Sequence, residues 1–153
     1  MSFDIEKQYD KIYRYCYFKL HSRELAEDVT QETFLRYLEH YSCITTASAL
    51  KCLYTIARNL CVDEYRKPQT EILNESTPDG TTEEKLIINL TVRAALSKLP
   101  PDEQELLLLR YVNEVPVSAL GKLYDLSRFA IYRKITSATN RFREELRKED
   151  YHG

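Results

Sequence analysis

The sequence predicts an all-α protein: two small helical domains joined by a flexible linker, the C-terminal one carrying a helix-turn-helix. Three observations point there. Only three glycines occur, at positions 80, 121 and 153, so the N-terminal half lacks the residue that tight strand turns favour. The five prolines, at 68, 78, 100, 101 and 116, fall mostly between helical patterns. Apolar residues recur at helical spacing in both halves, as in Ile131, Ile135, Ala138 and Phe142.

In a chain of 153 residues, 43 % hydrophobic and 30 % charged residues suit one globular domain or two small ones. The net charge of −2 does not advertise a nucleic-acid partner, but binding depends on where charge sits rather than on its sum. Residues 1–67 hold ten basic and ten acidic side chains, residues 68–90 one and five, and residues 91–153 eleven and nine. The acid excess therefore lies in the middle segment. No apolar run approaches the roughly 20 residues that span a bilayer, so no membrane insertion is expected. The start, M-S-F-D-I-E-K, has no signal-peptide core. Cys16, Cys43, Cys52 and Cys61 form no C-x-x-C pair, and reduced thiols in the cytoplasm are the expectation. His40 and Cys43 could share a helix face, but two ligands do not make a metal site. No metal and no cofactor is expected.

Taken in order, residues 4–20 carry Ile5, Tyr9, Ile12, Tyr13, Cys16 and Leu20, one helical stripe. His21 and Ser22 end it, and Ser22 is placed to cap the next helix, 23–41, whose first turn holds Glu24 and Glu27 against the positive end of the dipole. In that helix Ala26, Val29, Thr33 and Tyr37 share a face. Opposite them stand Glu24, Asp28, Gln31, Glu32, Leu35 and Glu39. Such a face is either solvated or, with Leu35 as an apolar anchor ringed by charge, a surface for a basic partner. Residues 42–49 read as a loop. The next helix, to Lys67, buries Leu53, Ile56, Ala57 and Leu60. Its far side carries Lys51, Thr55, Arg58, Asn59, Val62 and Arg66, with Tyr54 and Tyr65 beside it. Cations among aromatics suit single-stranded nucleic acid, because phosphates pair and bases stack; a solvated face with incidental tyrosines is the plainer alternative.

Residues 68–81 combine prolines, a glycine and polar residues, the composition of a linker. Thr81 and Glu84 have capping-box spacing and open a helix carrying Leu86, Ile87, Leu90, Val92, Ala95, Leu96 and Leu99. After Pro100 and Pro101 a helix runs to about residue 112. A short helix and a tight turn follow, and Ser127 caps the last helix. Its Ile131–Phe142 stripe leaves Phe129, Arg133, Thr136, Ser137 and Asn140 outside, with Arg128, Lys134, Arg141 and Arg143 on the flanks. From residue 126 to 143 there are five basic residues and no acid. This is the plan of a DNA-binding helix-turn-helix, though a helical hairpin with a solvated basic face would share it.

Two stretches together add a family. A-E-D-V-T-Q-E-T-F-L-R (26–36) followed by L-Y-T-I-A-R-N-L-C-V-D-E-Y-R-K (53–67) resembles the second conserved region of extracytoplasmic-function sigma factors, the smallest sigma-70 family proteins. L-P-P-D-E-Q-E-L-L-L-L-R-Y (99–111) with the helix-turn-helix resembles their fourth region. The resemblance covers nearly the whole chain. It implies region 2 over residues 1–67, a linker over 68–81 and region 4 over 82–153. It also implies a factor that binds core RNA polymerase and directs promoter-specific initiation. By the same resemblance Asp28, Gln31 and Glu32 meet the polymerase clamp, with Leu35, the apolar anchor of that face, beside them. Lys51, Tyr54, Arg58, Asn59, Arg66 and Lys67 meet the opened minus-ten strand. Arg128, Phe129, Tyr132, Arg133, Lys134, Ser137 and Arg141 meet the minus-thirty-five duplex while their domain rests on the polymerase flap. An anti-sigma factor is an expected further partner.

The chain also departs from the family pattern. Cys52 stands where tryptophan is frequent and Ala49 where an aromatic is, so weak melting and a demand for a close promoter match are expected. Asp125 replaces a turn glycine, Gly121 an alanine, and Pro116 a polar N-cap. The recognition helix reads A-I-Y-R-K (130–134) rather than T-V-K-S-R. A stand-alone helix-turn-helix regulator would explain residues 99–148 but leave the acidic face of the second helix idle. A helical adaptor whose basic face binds protein is a further possibility. An enzyme would need a nucleophile–base constellation, a phosphate-binding glycine loop or a metal cluster, and the sequence offers none.

Overall fold

The computed structural model describes residues 5–40, 45–67 and 83–152. In these residues the order is α1 (Ile5–Leu20), α2 (Arg23–His40), α3 (Thr46–Arg66), α4 (Glu83–Ser97), α5 (Pro101–Leu107) with a π-helical turn at Leu108–Val112, α6 (Val117–Tyr124) and α7 (Arg128–His152). The described residues contain no strand. None of their helices is long and apolar enough to cross a membrane. The chain forms two compact units: Met1–Ser76 with Ser118–Leu126, and Thr77–Val117 with Ser127–Gly153. The proposed linker, its capping box and the Cys43 position lie outside the described residues.

In the first unit α1, α2 and α3 pack pairwise against one another. The stop between α1 and α2 works as the sequence suggests. His21 takes a left-handed φ of 55°, its N–H reaches back to the Tyr17 carbonyl at 2.8 Å, and the Ser22 hydroxyl accepts the Leu25 N–H at 3.2 Å. The core joins Ile12, Tyr15 and Cys16 of α1 to Ala26, Val29 and Phe34 of α2 and to Leu50, Leu53, Ile56, Ala57 and Cys61 of α3. Two aromatic pairs tie it across helices, Tyr9 with Phe34 and Tyr15 with Tyr54, each with centroids 5.4 Å apart. Thr30 and Thr33 are fully buried on α2, where their hydroxyls donate to the Ala26 and Val29 carbonyls, so neither is an orphan. Helix α3 begins earlier than expected. Thr45 is its N-cap, accepting the Ser48 N–H at 3.1 Å. Residues 46–49, expected in a loop, are therefore helical, because a threonine cap within the loop supplied a start signal.

In the second unit α7 packs against α4 and α5. Leu99, Leu107 and Ala138 form a buried cluster, with Leu96 and Phe142 packed against it. Helix α5 does not continue as an α-helix to residue 112. Its hydrogen bonding widens into the π turn, where Asn113 N–H reaches the Leu108 carbonyl and Val115 N–H the Leu109 carbonyl. Glu114 then takes a left-handed φ of 52°.

The turn after α6 is a helix C-cap with a left-handed residue. Asp125 has φ 58°, and the Leu126 N–H bonds the Gly121 carbonyl at 2.9 Å, the six-to-one bond of a Schellman motif. Asp125 thus takes the conformation that glycine would adopt more cheaply. The fold also calls for a glycine four residues earlier: a Cβ at Gly121 would lie 2.9 Å from the Leu126 carbonyl oxygen.

Candidate nucleic-acid interface

Three surfaces hold the residues singled out in the sequence. On α2, Asp28 and Gln31 are exposed, and Glu32 is half-buried and accepts from the Arg36 guanidinium at 2.9 Å. Leu35 is 54 % exposed on the same side. The sequence reading missed that Leu38 is 62 % exposed and Leu25 also exposed. Leu35 and Leu38 are three apart, and that spacing alone could have paired them. The buried face of α2 is formed instead by Ala26, Val29, Thr30, Thr33 and Phe34.

On α3 the expected basic side is only partly assembled. Lys51, Asn59, Arg66 and Lys67 are exposed and Arg58 is half-buried. Lys67 is bridged to Glu64 at 3.1 Å. Tyr54 is a correction. It is 1 % exposed and set edge-on against Tyr15, so its ring belongs to the core and cannot stack on a base. The physical reason is that α3 is packed by two neighbours, α1 and α2, which widens its buried arc to take in Leu50, Tyr54 and Cys61 beyond the Leu53–Ala57 stripe. Tyr65 remains 58 % exposed. Its hydroxyl donates to the Lys19 carbonyl, which fixes the ring against the end of α1. Burial pushes its phenol up from the usual value.

On α7 the Ser127 hydroxyl accepts the Ala130 N–H at 3.1 Å and its carbonyl accepts the Ile131 N–H. The cap and the buried Ile131, Ile135 and Ala138 fix the helix's rotation. Arg128, Phe129, Tyr132, Arg133, Ser137 and Arg141 are all exposed. Lys134 is half-buried instead and turned toward α5, where its ammonium donates to Asp102 at 2.9 Å. That bond holds the Asp102 carboxyl below the usual carboxylate range, against a smaller opposing effect of burial. Arg141 lies 3.7 Å from Glu103. Lys134, expected among the unencumbered cations of this helix, thus spends its charge within its own unit, and Arg141 does so in part. Their partners lie on α5, 32 and 38 residues away, where no local pattern points to them. Arg128, Phe129, Tyr132 and Arg133 are exposed together near the start of α7, within a stretch, 126–143, that contains no acid.

Comparison with known proteins gives these surfaces a family. Residues 5–71 match the model of sigma-70 region 2, and residues 95–144 match that of sigma-70 region 4. The chain is 28 % identical over 159 residues to the ECF RNA polymerase sigma factor SigW of Bacillus subtilis, spanning 92 % of this chain and 83 % of the relative. It is 29 % identical to the ECF sigma factor BldN of Streptomyces coelicolor over 80 % of this chain and 51 % of that protein. Among solved structures, the RsbN–BldN complex aligns over 91 % of this chain and 86 % of the matched chain, with 24 % identity and a TM-score of 0.35. Two sigma-70 regions in their family order define a transcription factor of the polymerase-associated class. The chain belongs to the extracytoplasmic-function sigma factors of the sigma-70 family. It is a sigma factor rather than an enzyme, directing transcription initiation with core RNA polymerase and promoter DNA as its partners.

Proposed function

We propose that the outer face of α2 docks this factor on the clamp of core polymerase. Exposed Leu35 and Leu38 would be the anchors, and Asp28, Gln31 and Glu32 the surrounding polar groups. The observation that carries this is the exposure of both leucines beside carboxylates. Apolar side chains within a charged ring are the make-up of an interface centre, where exclusion of water strengthens the polar contacts around it. Lys51, Arg58, Asn59 and Arg66 on α3 and Lys67 at its C-cap then hold the opened minus-ten strand, with Tyr65 the remaining aromatic. Residues 1–67 act as region 2 and residues 82–153 as region 4, which rests on the flap while α7 reads the minus-thirty-five duplex through Arg133 and Tyr132. Arg128 and Arg141 serve phosphates, and Ser137 lies further along the same face. The factor works in the cytoplasm, and an anti-sigma protein would silence it by covering one of these surfaces. A stand-alone regulator is not favoured, because it gives the leucine-bearing face of α2 no task.

Reversing the charge at Asp28 and Glu32 together tests the docking. Both lie at the surface, so the fold should survive with a loss of about 0.5 kcal/mol, the scale of surface changes and of the lost Glu32–Arg36 pair. Retention of core polymerase by the purified double variant should fall at least tenfold, about 1.4 kcal/mol. Undiminished retention would leave this face merely solvated.

A further inference from the structure

At the start of α7 a large apolar side chain, Phe129, stands outside the core. It is 72 % exposed, the highest value among the exposed large hydrophobics of the described residues. It is the second residue of α7, in a turn fixed by the Ser127 cap. Tyr132, one turn on, is 48 % exposed on the same side. Helical side chains lean toward the N-terminus, so the Phe129 ring projects beyond the first turn, the part of a recognition helix that enters the major groove. A phenyl ring has neither donor nor acceptor, and it cannot read a base edge by hydrogen bonding. The major groove offers one apolar feature, the C5-methyl group of thymine.

Resting on the assignment of α7 to duplex reading, we infer that Phe129 selects a thymine in the minus-thirty-five element by packing its ring on the C5-methyl group. The charge around it favours DNA over an apolar protein groove as the occupant. Residues 126–143 contain no acid. Arg128 and Arg133 are exposed on either side of Phe129, while Lys134, which faces α5, is bound to Asp102. Cations beside one apolar ring match a groove whose phosphate walls flank base acceptors and a methyl group. Arg133 and Phe129 then divide the work: the guanidinium reads acceptors, and the ring reads the methyl group one turn nearer the helix start.

The test uses the full chain bound to core polymerase. Duplexes are first selected from a random pool, and each thymine of the minus-thirty-five element is then replaced singly by deoxyuridine, which removes only the methyl group. At one position the replacement should weaken binding about fourfold, the effect of withdrawing one buried methyl group from an apolar contact. The Phe129→Ala variant should bind thymine and deoxyuridine duplexes equally at that position, and Phe129→Leu should regain part of the difference. If no thymine is selected, or if Phe129→Ala keeps the full sensitivity, the inference is overturned while duplex reading by α7 stands. If no minus-thirty-five sequence is selected at all, duplex reading falls, and the inference with it.

Discussion

Gly121 and Asp125 divide between them a task usually given to one glycine. The left-handed residue of the α6 cap is an aspartate, and the glycine stands where the turn closes most tightly on the helix. An alanine at 121 would gain up to about 1 kcal/mol of helix propensity. Its Cβ would meet a backbone oxygen at 2.9 Å, however, and overpacking of that kind costs roughly 1–3 kcal/mol. Gly121→Ala should therefore lower the melting temperature, and an unchanged or higher value would mean the turn relaxes freely. The other residue of consequence is Tyr54. As a core side chain its replacement by alanine should cost about 3–5 kcal/mol, seen as a lower melting temperature. Tyr54→Phe should leave promoter opening intact. A selective loss of opening in the phenylalanine variant would return Tyr54 to the strand-binding surface.

At the scale of the element, α7 and α5 are joined by the Lys134–Asp102 pair. The folded Asp102 carboxyl is held below its ordinary value. The pair's stabilisation is therefore complete above the unfolded carboxylate value of about 3.9 and is lost as pH falls through the lower folded value. Asp102→Asn should remove that dependence at a cost of no more than about 1 kcal/mol, since Asp102 is exposed and Lys134 only half-buried, so solvent screens the pair. It should also release the Lys134 ammonium toward DNA. Duplex binding by the holoenzyme should then tighten at low salt, with a salt dependence steeper by roughly one phosphate contact. An unaltered slope would show that Lys134 cannot reach the backbone even when unpaired.

For the whole molecule, the expected output is strand opening followed by transcription. Arg66 is exposed at the end of α3, and Arg58 is half-buried on the same helix. Alanine at both should reduce run-off transcription from a duplex promoter by tenfold or more, about 1.4 kcal/mol in the opening equilibrium. A pre-melted template needs no opening and should lose much less. Equal losses on both templates would assign these arginines to affinity alone. With Tyr54 withdrawn into the core and Tyr65 bonded to Lys19, the aromatic supply for melting is thinner than twelve tyrosines suggest. Cys52 is also half-buried. Activity should therefore collapse on divergent minus-ten elements, and broad tolerance in a promoter library would contradict this.

What the sequence determined by itself was local. Helix periods, the Ser22 and Ser127 caps, the Ile131–Phe142 stripe and the left-handed turn at Asp125 each depend on residues within a few positions of one another. The order of the two family motifs is likewise written in the linear chain. Only the tertiary structure decided which side of α3 Tyr54 faces, because that depends on how many neighbours the helix has. It also decided that Lys134 is paired, since Asp102 lies 32 residues away, and that Leu38 stays outside although its neighbour Phe34 is buried. Periodicity ranks the positions on a helix by apolar character. The width of the buried arc and the partners of its charges are set by elements that converge only when the chain folds.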